Sequence, residues 1–216
     1  AASALTAAGM SSPNGLYVDG AGRLWVSETG NRRVTRFDQA ASKPNGAAAD
    51  GVLGQPNFTT NTANTTRNGF SSLRFVTGDS AGRIYVIQEG THRIVVFNDG
   101  ANKPNGADAD FIWGQPDFTT GTAANPPTAQ SYNTPRAMTI DETGGNVWVA
   151  DWANHRVLRY GMTQAGQPSL TLTAPAAGAK WGQNTTQKIQ WTSAEVEQIG
   201  IDFSANNGAE WIALDT

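Results

Sequence analysis

Between Pro13 and Phe37 the chain reads "PNGLYVDGAGRLWVSETGNRRVTRF", three short runs of apolar, β-branched and aromatic residues cut by "DGAG" and "ETGN". Runs of four to six such residues bounded by Asp, Gly and Asn predict strands joined by tight turns, and no helical periodicity competes with them. The same order of events returns at "LRFVTGDSAGRIYVIQEGTHRIVVF", residues 73–97, and at "PRAMTIDETGGNVWVADWANHRVLRY", residues 135–160. Three copies of a three-strand meander are therefore expected, and the fold class is all-β.

A meander that is apolar on both faces cannot bury itself. Successive copies must pack face to face, and radial packing of such sheets gives a β-propeller. The segments between copies repeat as well: "KPNGAAADGVLGQPNFTT" from Lys43 to Thr60 reappears as "KPNGADADFIWGQPDFTT" from Lys103 to Thr120. Each has the place of an outer strand and a connection to the next blade, with "KPNG" as a turn and "GVLGQ" or "FIWGQ" as a short strand. The N-terminal "AASALTAAGMSSPNGLYVD" aligns with the sequence after "GQPNFTT", and the third copy leaves the pattern after Tyr160. The expectation is a set of about three blades from a larger propeller, seen through a fragment.

The three copies resemble NHL repeats, named for Asn-His-Leu at the second turn. The third copy has Asn154-His155 followed by Arg156, the first has Asn31-Arg32, and the second has Thr91-His92. The "LGQPDFT" type of element between copies is similar to the long-insert form of bacterial NHL proteins. The resemblance implies a binding propeller; some NHL propellers are instead enzymes, including peptide-amidating lyases with a metal held by histidines near the axis.

From Gln167 the composition changes. Residues 1–162 are assigned to the blades, 163–168 to a linker rich in Gly and Gln, and 169–216 to a second domain. There "SLTLTAP", "QKIQWTS", "QIGIDFSAN" and "EWIALDT" alternate apolar and polar residues, with Asn206-Asn207-Gly208 as a hairpin turn. The pattern resembles the immunoglobulin-like module of the Ser/Thr-rich, GPI-anchored cell-wall family at Pro175, Trp181, Gly182, Ile189, Trp191, Gly208 and Trp211. Such a sandwich needs about seven strands, and about four fit, so this β-sandwich is expected to be partial too.

Composition narrows the function. The formal charge is -3, with Lys plus Arg 15 against Asp plus Glu 18, the wrong sign for a domain that lives on phosphate neutralisation. Nucleic acid is thus not an expected partner. There is no Cys, so disulfides and thiolate metal sites are excluded. No apolar run is long enough to span a membrane. Low charge, abundant Thr and Asn and the resemblances together imply a secreted or cell-surface bacterial protein. Its expected partners are a protein or glycan ligand and, for the open blade faces, the rest of the same polypeptide or further copies.

Candidate chemistry follows the repeat register. Asn14, Arg74 and Arg136 stand at the start of each first strand, beside the axial channel if the meander begins inside; two arginines there can hold an anion. Glu28, Gln88 and Asp151 align at the end of each second strand, where a ring of acids could collect a cation, although Gln88 interrupts it. The alternative is that they pair with turn groups, with Arg33, Arg93 and Arg156 as repeated partners. Trp152 has no aromatic counterpart in Thr29 or Glu89 and is a candidate ligand contact. Trp25, Tyr85 and Trp148 share one position and are expected to be buried between sheets. Two histidines, His92 and His155, share a slot that holds Arg32 in the first copy. No catalytic triad, phosphate loop or zinc spacing appears, and no catalytic residue, metal site or cofactor is assigned. The reading is a non-catalytic binding or structural module, with a lyase or hydrolase completed by further blades as the alternative.

Overall fold

The computed structural model describes residues 4–161, 169–175, 188–194, 201–203, 210 and 212–215. They fall into two compact units, Ala1–Met162 and Thr163–Thr216.

The first unit is a series of antiparallel meanders. The first sheet runs β1 (Pro13–Val18), β2 (Leu24–Glu28), β3 (Arg33–Phe37) and β4 (Gly51–Leu53), each strand paired with the next. The second repeats it with β5 (Leu73–Gly78), β6 (Ile84–Gln88), β7 (Arg93–Phe97) and β8 (Phe111–Trp113). The third has β9 (Pro135–Asp141), β10 (Asn146–Asp151) and β11 (Arg156–Gly161). First strands of successive sheets touch, β1 against β5 and β5 against β9, and β2 and β6 lie on the first strand of the sheet that follows. The meanders thus begin on the inside and stack face to face, as blades of a partial propeller.

Local chemistry sets the turns. Asp19 Oδ1 accepts the backbone N–H groups of Ala21 and Arg23, and Asp79 Oδ1 does the same for Ala81 and Arg83. This Asx arrangement closes each first hairpin. In the connections, Gly54 and Gly114 have φ of +83° and +89°, and a Cβ there would lie 2.0 Å from the Phe70 ring and 2.2 Å from the Tyr132 ring. Only glycine meets both demands. The next residue fastens the loop: Gln55 Nε2 donates to the carbonyls of Arg32 and Thr62, and Gln115 Nε2 to those of Thr91, His92 and Thr122. The repeated Gly-Gln pair therefore ties each outer strand to the turn of its own sheet.

The main core lies between the first two sheets and includes Trp25, Val34, Leu53, Phe70, Leu73, Val76, Ile84, Val86 and Phe97. Burying each of these large side chains contributes roughly 1.5–3 kcal/mol. Trp25 and Tyr85 are 1% and 0% exposed, as their repeat position predicts, whereas Trp148 is 40% exposed. The expectation for Trp148 is corrected: Trp25 and Tyr85 have a following sheet over them, and among the described residues no sheet covers this face of the third.

In the second unit β12 (Ser169–Ala174) pairs with β13 (Gln190–Ala194) and β14 (Ile201–Phe203) with β15 (Ile212–Asp215), both antiparallel. Trp181, Gly182, Gly208 and Trp211, and the turn expected at Asn206-Asn207-Gly208, lie outside the described residues.

Candidate functional site

The repeated arginines fill the same role three times. Arg33, fully buried, donates from Nε to Glu28 Oε1 and from its terminal nitrogens to the carbonyls of Phe58, Thr6 and Gly9. Arg93 reaches the carbonyls of Phe118, Thr66 and Gly69, and Gln88 Oε1. Arg156 pairs with Asp151 at 2.7 Å and reaches the carbonyls of Thr128 and Ser131. Each arginine thus fastens the loop that precedes its own sheet, and Arg33 and Arg93 also hold the loop that follows it, through charged donors to backbone carbonyls.

This arrangement accounts for Glu28, Gln88 and Asp151. All three are 0% exposed. Besides Arg33, Glu28 accepts from Asn31 and Thr35; Asp151 accepts from the Asn133 backbone, Asn154 and Arg156. They do not form an open acidic ring at a mouth: their oxygens are turned into the loops and occupied there. Among the described residues no group of three or more His, Asp or Glu side chains is placed to hold a metal ion.

One step further along the chain the repeat gives a different result. Thr29, Glu89 and Trp152 follow the three buried residues, and each sits near the first strand of a sheet. Thr29 donates to the Leu73 carbonyl. Glu89 lies between two arginines, its Oε2 at 3.6 Å from Arg74 Nη1 and 3.7 Å from Arg136 Nε. The Arg136 guanidinium carbon stands 3.6 Å from the centroid of the Trp152 ring, a cation–π contact worth roughly 0.5–1 kcal/mol where water reaches it. A depression of about 400 Å³ adjoins this pair, lined by Arg136, Ala150, Asp151, Trp152, His155, Arg156 and Val157.

The cluster is accessible. Side chains of Arg74 and Arg136 are 37% and 38% exposed, and Trp152 is 54% exposed. Glu89 Oε2 and Arg136 Nε are buried atoms without a hydrogen-bond partner; at 3.7 Å they are an ion pair too far apart for a hydrogen bond. Two guanidinium groups against one carboxylate leave a net positive charge beside a half-exposed indole that carries the Arg136 guanidinium on one face. The arrangement can accept a carboxylate on an apolar or ring-shaped scaffold, with the arginines offering paired donors.

The structure therefore brings together Arg74, Arg136 and Trp152 of the sequence candidates, leaves Asn14 exposed at the equivalent start of β1, and buries Glu28, Gln88 and Asp151 behind them. Glu89 is the residue that sequence reasoning missed. Its signal was present: it occupies the slot of Trp152, one residue beyond the buried acid position. His92 is also engaged, its Nδ1 accepting the Thr134 backbone N–H at 2.9 Å. Burial lowers its pKa from the ordinary 6.5, against the opposing charge of Asp151.

No curated protein matches the chain. Among solved structures, similar chains occur in a crystal structure of a nidogen–laminin complex and in virginiamycin B lyase from Staphylococcus aureus. The first is 15% identical with a TM-score of 0.44, over 71% of this chain and 45% of that one. The second is 13% identical with a TM-score of 0.40, over 76% of this chain and 46% of that one. This chain thus spans a little under half the length of either. Residues 132–160, which contain β9 and β10 and all but the last residue of β11, match the family model of the NHL repeat.

Proposed function

We propose that the first unit is a non-catalytic binding module of a secreted or cell-surface bacterial protein, and that it recognises a protein or glycan through a carboxylate group held on the Arg74, Arg136 and Trp152 face. The observation that carries this reading is the Arg136–Trp152 pair at 3.6 Å, half open to solvent and beside a second arginine. A ring sugar or an apolar side chain bearing a carboxylate meets both halves of that surface: its apolar face lies on the indole and its oxygens accept from the guanidinium groups. The second unit, with its paired two-stranded sheets, is read as an immunoglobulin-like element that displays or spaces the binding module.

Binding of the chain to an array of acidic and neutral oligosaccharides and Glu-rich peptides tests the proposal. Acidic members should bind, and both Arg136→Ala and Trp152→Ala should weaken that binding by tenfold or more, since one charge-assisted contact contributes roughly 1.5–3 kcal/mol. Binding that ignores the carboxylate, or that survives both substitutions, contradicts it.

A further inference from the structure

Among the described residues, nine arginines donate side-chain hydrogen bonds within the chain. Arg74 and Arg136 donate none there, although a carboxylate stands between them: Glu89 Oε2 lies 3.6 Å from one and 3.7 Å from the other and accepts no hydrogen bond. Glu28 shows how this chain fastens a carboxylate. It is fully buried and accepts from Arg33 Nε at 3.1 Å, Thr35 at 2.9 Å and Asn31 at 2.7 Å. Glu89 lies beside two arginines and is held by neither.

The repeat shows that Glu89 is not part of the joint between sheets. In the first sheet its slot holds Thr29, whose hydroxyl donates to the Leu73 carbonyl of the next sheet at 3.0 Å. A carboxylate cannot donate in that way. The backbone of Glu89 is fixed separately: the residue opens the short turn Glu89–Thr91, which closes when its carbonyl accepts the His92 N–H at 3.4 Å. Its side chain can therefore change rotamer while the turn stays in place. With the Glu89 side chain 22% exposed and those of the arginines 37% and 38%, the ion pairs are open to screening and hold little free energy. β5, β6 and β9 all meet here, so the arrangement is internal to the stacked sheets.

We propose that Glu89 is a built-in competitor for the arginine site: its carboxylate stands where a ligand's carboxylate binds, and it swings toward solvent when the ligand enters. This rests on the reading above of where the ligand's carboxylate is held. The incoming oxygens take donors that Glu89 leaves unsatisfied, Arg136 Nε among them, and meet two positive charges once Glu89 has turned away. The apparent affinity of every ligand is then lowered by the fraction of time that Glu89 occupies the site. A free small acid gains nothing over Glu89, which is tethered beside the arginines and so present at high effective concentration. A carboxylate carried on a ring also makes the contact with Trp152 that Glu89 does not make. Glu89 thus selects ring-borne carboxylates against free small acids.

NMR titration of the full chain and of Glu89→Gln, which keeps the side chain's shape and removes its charge, tests this with two probes, a uronic-acid oligosaccharide and acetate. Glu89→Gln should bind the oligosaccharide roughly tenfold more tightly than the wild type, and should bind acetate saturably where the wild type does not. Glu142→Gln removes the same charge just beyond the far end of β9 from Arg136 and should change neither result; adding Arg136→Ala to Glu89→Gln should cancel the gain. If the wild type binds the oligosaccharide and Glu89→Gln binds it equally or more weakly, the competitor is overturned and the binding site stands, with Glu89 as a residue that positions the arginines. An equal gain from Glu142→Gln overturns it as well, since net charge then accounts for the effect. If neither protein binds the oligosaccharide but Glu89→Gln binds acetate, the competitor stands and the ring-borne ligand falls. Binding of neither probe by either protein overturns both.

Discussion

Arg93 and Gln88 show what one residue can cost a repeated arrangement. In the first sheet Arg33 Nε is paired with Glu28, and in the third Arg156 Nε is paired with Asp151. In the second, Arg93 Nε and Gln88 Nε2 are both buried without partners, and burial brings the Arg93 pKa down to about 10. Gln88→Glu should replace the unpaired amide nitrogen with an acceptor for Arg93 Nε while keeping the bonds already made to Oε1. Urea unfolding is expected to show a gain of about 1–3 kcal/mol, the range for a charge-assisted bond that also removes an unsatisfied group; a loss would mean that desolvating the new charge outweighs the pairing. His92 gives a pH dependence. Its folded pKa lies below 6.5, so the unfolded chain binds the proton first as pH falls. The bond from the Thr134 N–H is intact above about pH 6.5 and its contribution is lost as pH drops through the lowered folded value. Comparing unfolding at about pH 7.5 and pH 5 should show a loss in the wild type that His92→Asn reduces; equal losses in both proteins would place the titration elsewhere.

The elements were largely legible because the repeat aligned them. A strand pattern of period two, Asp-Gly turns and a Gly-Gln step recur at fixed spacing, and physics that solves one copy solves the next. Thus the strand order, the outer strands β4 and β8 and the arginine partners could be expected from the chain alone. Trp148 could not, since its position in the repeat says which way it points and nothing about whether a sheet lies over it. The site was half legible for a related reason. Arg74, Arg136 and Trp152 stand out by type and register; Glu89 shares the slot of Trp152, but its pairing with both arginines follows only from the packing of β6 on β9, which places the end of one sheet's second strand near the start of the next sheet's first. The connections make a test at this scale. Gly114→Ala adds a left-handed backbone penalty of ~1–2 kcal/mol to overpacking against Tyr132, ~1–3 kcal/mol. Thermal unfolding should show a loss of about 2–5 kcal/mol, well beyond that of an exposed turn position such as Gly20, where a Cβ would meet nothing within 4 Å. Similar losses at both positions would show that the Gly-Gln step is not a close-packed joint.

At the scale of the whole first unit, the stacked sheets create two kinds of surface from one repeat. The edges where first strands begin collect arginines and an indole and are polar enough to stay wet; the flat faces are apolar and suited to another sheet. The edges bring polar residues of consecutive sheets to one solvent-accessible place, as Glu89 between Arg74 and Arg136 shows, and a binding site there is assembled by the stacking itself. Titrating the ¹⁵N-labelled chain with a uronic-acid oligosaccharide, while following the indole and guanidinium resonances, tests that assembly. Saturable shifts are expected at Trp152, Arg136 and Arg74, absent with the neutral sugar of the same ring and lost in Arg136→Ala. Shifts scattered over the surface, or equal shifts with the neutral sugar, would contradict it.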